Sequence, residues 1–140
     1  IQPRGAKDTY ATIVFEPEYV EGLRDLDGFS HVYLIYFFHK MKESKLSVIP
    51  FNDPTHTPCG VFATRTPIHP NGLGLLVVKL IKVEGDTVTI KGVDILDGTP
   101  LIDIKPYIEN FDKIDDEVRS GWMQASSTEV AAKRSDHRFV

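Results

Sequence analysis

The run FSHVYLIYFFH at residues 29–39 limits what this chain can become more than any other stretch. It is β-branched and aromatic almost throughout, a composition that packs well in a pleated strand and loses side-chain freedom in a helix. It lacks polar alternation, so it reads as a strand covered on both faces, with neighbours on either side. Neighbours are available. TYATIVF at 9–15, GVFA at 60–63, the stretches 75–83 and 87–93, and LIDIKPY at 101–107 all read as short strands. They follow one another with few helices between, which favours an antiparallel sheet or a small barrel over a doubly wound parallel sheet. The expected fold is mainly β, a small antiparallel β-barrel with a few short helices. The 140 residues form one domain, with a C-terminal helix and tail from about residue 121.

Local signals punctuate this pattern. Pro17 suits the first turn of a short helix, with Tyr19, Val20 and Leu23 as its buried face. Leu26-Asp27-Gly28 ends it. Glu84-Gly85-Asp86 supplies a hairpin turn, with Gly85 free to take positive φ. Val88 and Ile90 then point one way, and Thr87, Thr89 and Lys91 the other. Pro106 marks its strand as an edge. Residues 1–8 are turn-rich and basic, through Arg4 and Lys7. Ser126 and Glu129 are spaced as a capping box for a helix over 130–134.

Between the strands lies the segment GVFATRTPIHPNGLG, residues 60–74. Pro67, Pro70, Gly72 and Gly74 argue against regular structure and for a shaped loop carrying Arg65, His69 and Asn71. No acidic residue occurs from Pro54 to Val83, whereas Arg65, Lys79 and Lys82 are positive; in a chain of net charge −4 this is a local basic island. Eight acidic residues between Asp94 and Glu117 face only Lys105 and Lys113, so the two charge runs are separate in sequence. The net charge argues against nucleic-acid binding over the whole surface but allows one basic face. The loop reads equally as a surface connection stiffened by proline.

Several chemistries are disfavoured. Cys59 is the single cysteine, so there is no intrachain disulfide, and His56, Cys59 and His69 are too few for a closed structural zinc site. Nothing near Cys59 marks an activated nucleophile. Gly72-Leu73-Gly74 lacks the spacing and context of a phosphate-binding fingerprint. The apolar run 32–38 is too short to span a bilayer as a helix, no signal peptide is seen, and a cytoplasmic location without membrane attachment is expected. Asp94 and Asp97 read either as hydroxyl or cation ligands or, more simply, as turn caps. His39 reads as a core histidine or a site residue at a strand end. Lys79, Lys82 and Arg65 form a phosphate-binding or a merely solvated face, and Trp122 reads as packing rather than base stacking.

Four stretches together resemble one family. They are Phe29-Ser30-His31 through Phe38-His39; Gly60-Val61-Phe62-Ala63-Thr64-Arg65 with Pro70-Asn71 and Gly74; Val77-Val78-Lys79-Leu80; and DILDGTPLIDIKPY, residues 94–107. This pattern is similar to the TsaA-like, or TrmO, family of tRNA methyltransferases, over most of residues 3–107. The resemblance implies a small β-barrel that works as a homodimer, with S-adenosylmethionine as methyl donor. The acceptor it implies is the N6 nitrogen of N6-threonylcarbamoyladenosine beside the anticodon, so the partner would be a tRNA anticodon loop. By similarity, donor contacts fall on Pro3, Arg4 and Gly5, on His39 and Lys40, on Arg65, near Leu75, and on Asp97, Gly98, Thr99 and Pro100. His69, Asn71, Lys79 and Lys82 are assigned to RNA. No catalytic base is named, and no metal is expected. The alternative is a module that binds S-adenosylmethionine without transferring methyl; an enzyme on another small substrate is a third reading.

This chain departs from the family pattern at two points. His69 stands where arginine is common, and Gly72 where a proline is common. A strand expected ahead of Pro3 and the extra C-terminal domain of longer members are not recognisable in the sequence.

Overall fold

The computed structural model describes residues 2–4, 10–50, 55, 57–91 and 97–123; for 2–4 it describes the backbone alone. Eight strands are present among them: β1 (Gln2–Arg4), β2 (Tyr10–Val14), β3 (His31–Phe37), β4 (Ser47–Val48), β5 (Cys59–Gly60), β6 (Leu73–Glu84), β7 (Thr87–Lys91) and β8 (Leu101–Pro106). Six form one antiparallel sheet in the order β1-β2-β7-β6-β3-β8, and β4 pairs with β5 apart from it. The helical elements include 3-10 turns at Pro17–Leu23, Leu26–Gly28, Val61–Ala63 and Gly121–Met123, and one α-turn, α1 (Glu109–Asp112).

The mainly β, antiparallel expectation holds. Closure into a barrel does not, among the described residues: β1 and β8 end the sheet and are not paired with each other. β1 is only three residues long and carries Pro3, which lacks the N–H a further strand would need. Its presence also corrects the reading of residues 1–8 as turns. Pairing of Pro3 with Ala11 and of Arg4 with Tyr10 draws the start of the chain into the sheet. Pro106 sits on an edge strand, as expected.

One face of the sheet carries the core. Ala11 and Ile13 from β2, Val32, Leu34 and Tyr36 from β3, Val78 and Leu80 from β6, and Val88 and Ile90 from β7 close over Leu23 and Leu26. Each such aliphatic side chain contributes about 1.5–3 kcal/mol by leaving water. β3 therefore alternates strictly. Val32, Leu34 and Tyr36 are buried, whereas His31, Tyr33 and Ile35 are half-buried and Phe37 is exposed. This corrects the reading of both faces as covered, because an antiparallel sheet packs one face and leaves the other available. Tyr19 is likewise 62% exposed rather than part of the buried face, since the 3-10 geometry of Pro17–Leu23 does not keep positions 19 and 23 on one side. Thr89 is only 5% exposed, although it opposes Val88 and Ile90 in phase; β7 is flanked by β2 and β6.

The β6–β7 hairpin turns at Gly85-Asp86, with Glu84 opposite Thr87 and Gly85 at φ 58°. β6 is long enough to serve two neighbours, its first half pairing with β3 and its second with β7. A bulge at Ile81 eases the change. The expected helix over 130–134 lies outside the described residues, as do Gly5, His56 and Asp94.

Candidate functional site

The exit of β3 gathers most of the candidate residues. β3 runs antiparallel to both neighbours, so β6 and β8 begin where it ends. Phe37 N–H donates to the Pro100 carbonyl (3.1 Å), and Phe38 N–H donates to the Gly72 carbonyl (2.8 Å). The last residue of β3 and the one after it thus hold the 97–100 turn on one side and the end of the 60–74 loop on the other. His39 and Lys40 follow directly, half-buried and exposed respectively. Leu75, third residue of β6, lies opposite Ile35 in the register. In the turn before β8, Asp97, Gly98 and Pro100 are exposed, Thr99 is 3% exposed, and Gly98 takes φ 81°, a conformation open to glycine.

The 60–74 loop is ordered by its own polar groups. GVFA is not a full strand: β5 stops at Gly60, and Val61–Ala63 form a 3-10 turn. The Thr64 hydroxyl explains the change. It donates to the Val61 carbonyl at 2.7 Å, accepts the Thr66 N–H at 3.4 Å and meets the Thr66 hydroxyl at 3.1 Å, so side chains replace the sheet ladder. His69 closes the arch: its Nε2–H donates to the Thr64 carbonyl at 2.9 Å, and its ring lies 5.9 Å from that of Phe62. Trp122 approaches from the far end of the chain and donates its indole N–H to the Ala63 carbonyl at 2.7 Å. Arg65 projects from this arch, exposed, with no ion pair or hydrogen bond among the described residues.

The loop is laid beside the segment after β3. Lys45 N–H donates to Ile68 O (3.0 Å) and Val61 N–H to Leu46 O (2.9 Å). Lys40, Lys42, Lys45 and Arg65 are therefore exposed cations on two adjoining segments, with Glu43 as the acidic residue among them. Asn71 is exposed on the same loop.

Other candidates are not brought to this place. Lys82 lies nine residues beyond Leu73 on β6, about 30 Å along the strand, and is ion-paired to Glu84 at 3.3 Å. Lys79 pairs across to His31, at the opposite end of β3. Pro3 and Arg4 sit on β1, with β2, β7 and β6 between them and β3. No group of three potential metal ligands exists among the described residues.

Residues overlooked in the sequence also belong here. Tyr36 and Phe38 stack edge-on at the strand exit, 5.3 Å between ring centroids. Gly74 lies opposite Tyr36, and a Cβ built there falls 2.2 Å from the Tyr36 ring. Gly74 thus lies within β6 rather than in the loop, and its missing side chain admits the aromatic ring. An aromatic facing a strand glycine is the signal that would have revealed it.

On the outward face, Leu73, Leu75 and Val77 of β6 and Phe37 of β3 are 40–51% exposed and contiguous. At the other end of this face, Tyr33 packs 5.9 Å from Tyr107. The Tyr33 hydroxyl is held above the usual tyrosine range, first by loss of water, then by the nearby Asp112 carboxylate and by Tyr107.

Comparison with known proteins identifies the family. A "Probable S-adenosyl-L-methionine-binding protein" of Pyrococcus abyssi is 46% identical over 140 residues, spanning 99% of this chain and 74% of its own length. The tRNA (adenine(37)-N6)-methyltransferase of Mus musculus is 45% identical over 94 residues, 64% of this chain and 21% of that protein. The crystal structure of TrmO from Pseudomonas aeruginosa superposes with a TM-score of 0.65 at 36% identity, over 81% of this chain and 48% of the TrmO chain. The chain thus spans under half of the TrmO chain. The family model of the tRNA-methyltransferase O N-terminal domain matches residues 1–113, and the chain belongs to that family.

Proposed function

We propose that this chain is the S-adenosylmethionine-binding, catalytic unit of a tRNA (adenine-N6)-methyltransferase, and that its acceptor is N6-threonylcarbamoyladenosine next to the anticodon. The observation that carries the reading is the pair of hydrogen bonds from Phe37 and Phe38, which joins at one strand exit three segments that the family resemblance assigns to the donor. The residues there fit the donor's chemistry. Arg65, which has no ion pair among the described residues, is suited to the amino-acid carboxylate. Asp97 and the adjacent turn carbonyls suit ribose hydroxyls and the sulfonium charge. Phe37 and Leu75 offer apolar surface for the adenine.

When bound, the donor supplies an electrophilic methyl group. Arg65, Asp97, Phe37 and Leu75 would hold the donor so that its methyl group could pass in line to the acceptor nitrogen, which would give up its proton. An acylated adenine N–H is more acidic than an ordinary amine, so the protein's main task is alignment and exclusion of water. Lys40, Lys42, Lys45 and Arg65 form the face for the tRNA backbone. A base in a single-stranded loop is reached without opening a duplex. Lys79 and Lys82 would touch RNA only at a distance from the acceptor.

The neighbouring exposed apolar side chains Leu73 and Val77 support a homodimer, with the donor site beside the contact. Val77→Asp should shift the sedimentation coefficient to that of a monomer; a wild-type protein already monomeric at high micromolar concentration would end the dimer proposal. No described helix is long and apolar enough to cross a membrane, and we place the protein in the cytoplasm, where its tRNA resides. The activity test is incubation of tRNA with donor followed by nucleoside mass analysis. A 14-dalton gain on threonylcarbamoyladenosine supports the reading. Donor binding without any methylated nucleoside would favour the binding-module alternative.

A further inference from the structure

The Trp122 indole reaches back across 59 residues of sequence to the carbonyl of Ala63, which precedes the Thr64-Arg65 peptide. It comes from beyond the part of the chain matched by the family model, which ends at residue 113. Residues 113–120 are exposed throughout and span from the end of α1 to this contact. The arch that bears Arg65 is thereby held by two side-chain donors on consecutive carbonyls, Trp122 on Ala63 and His69 on Thr64. His69 belongs to the arch itself, whereas Trp122 does not. Deleting Trp122 would leave intact the Thr64 hydroxyl network and the backbone bonds to Leu46 and Lys45, and would remove the side-chain tie on the Ala63 carbonyl.

We propose that Trp122 is a positioning residue that fixes the Ala63 carbonyl and hence the direction in which Arg65 leaves the arch. Residues 114–122 thereby act as a clasp on the arch that bears Arg65. The assignment of Arg65 to the donor rests on the proposed function above; the clasp itself does not.

Trp122 is the single tryptophan of the chain, so its emission reports this contact with no competing signal. The test compares the wild-type chain with Trp122→Phe, which keeps an aromatic ring and loses the N–H. Amide hydrogen exchange should speed up at Thr64, Arg65 and Thr66 in the variant, and stay unchanged in β2 and β7. Calorimetric titration with S-adenosylmethionine should show affinity lower by about two- to twelve-fold, the worth of one net hydrogen bond. Saturating donor should shift the emission of the wild-type protein. Unaltered exchange in the arch would overturn the clasp whatever the donor result. Faster exchange, with neither protein binding donor, would leave the clasp standing and reject the donor reading. Faster exchange with equal donor affinity and a silent emission spectrum would show that the clasp does not reach the site, and would overturn the positioning role.

Discussion

Gly74→Ala tests the packing that builds the strand exit. A Cβ at this position lies 2.2, 2.3 and 2.7 Å from three carbons of the Tyr36 ring. Comfortable carbon–carbon contact needs about 3.5–4.0 Å, so the ring or the strand must move by more than 1 Å, roughly. Tyr36 has little room: it is 8% exposed and packed edge-on against Phe38. Overpacking of this kind costs about 1–3 kcal/mol, a fall in Tm of about 3–12 °C for a domain of this size. Gly72→Ala is the control two residues earlier. There a Cβ meets nothing closer than the Pro67 carbonyl at 3.5 Å, and φ is not positive. Its stability should change by less than about 0.5 kcal/mol. Thermal and urea denaturation of both variants, repeated in a Tyr36→Leu background, gives the coupling. Gly74→Ala should cost less once the ring is gone. An equal cost in both backgrounds, or a Gly74→Ala as mild as Gly72→Ala, would refute the steric argument. The donor affinity of Gly74→Ala should fall as well, because Tyr36 precedes the Phe37 and Phe38 amides that hold the site.

Three further outcomes are expected. Arg65→Ala should weaken S-adenosylmethionine binding by about 10- to 150-fold, the range for a hydrogen bond to a charged group, with Tm unchanged because the side chain has no described partner; a large Tm loss would make Arg65 structural. Thr64→Val should lower stability by about 1–3 kcal/mol in urea unfolding, because it strands the buried Thr66 hydroxyl and N–H; no change would mean that water replaces these bonds. Tyr33 should ionise above its ordinary value of 10.0. The folded state resists the phenolate, so its contribution is complete below pH 10 and is lost as the pH rises through the raised value. In absorbance titration Tyr33→Phe should remove a step above pH 10, and an unchanged curve would contradict the Tyr33–Asp112–Tyr107 arrangement.

The strands were legible because their residues carry backbone preference and burial together, as in β3 and the β6–β7 hairpin. The coverage of β3 was misread because Tyr33, Ile35 and Phe37 are as apolar as Val32, Leu34 and Tyr36. Composition cannot distinguish a core face from a face awaiting a partner. GVFA looked like a strand by residue type, yet the Thr64 hydroxyl captured the Val61 carbonyl and bent the chain. The family pattern assigns donor contacts to His39, Lys40, Leu75 and the 97–100 turn, which meet at the strand exit, but also to Arg65 on the adjoining arch and to Pro3 and Arg4, which lie on β1. The ties themselves are backbone hydrogen bonds from Phe37 and Phe38, which leave no mark on residue identity. The Trp122–Ala63 contact joins positions 59 apart and is equally silent in the sequence.

The most direct test of the central claim is amide chemical-shift mapping of the labelled protein titrated with S-adenosylmethionine. Saturable shifts should concentrate at 37–40, 64–66, 73–75 and 97–100, with the Gly85 turn and Leu26–Gly28 unmoved. Shifts centred on those distant turns, or no saturable shifts at all in the folded protein, would contradict the placement of the donor at the exit of β3.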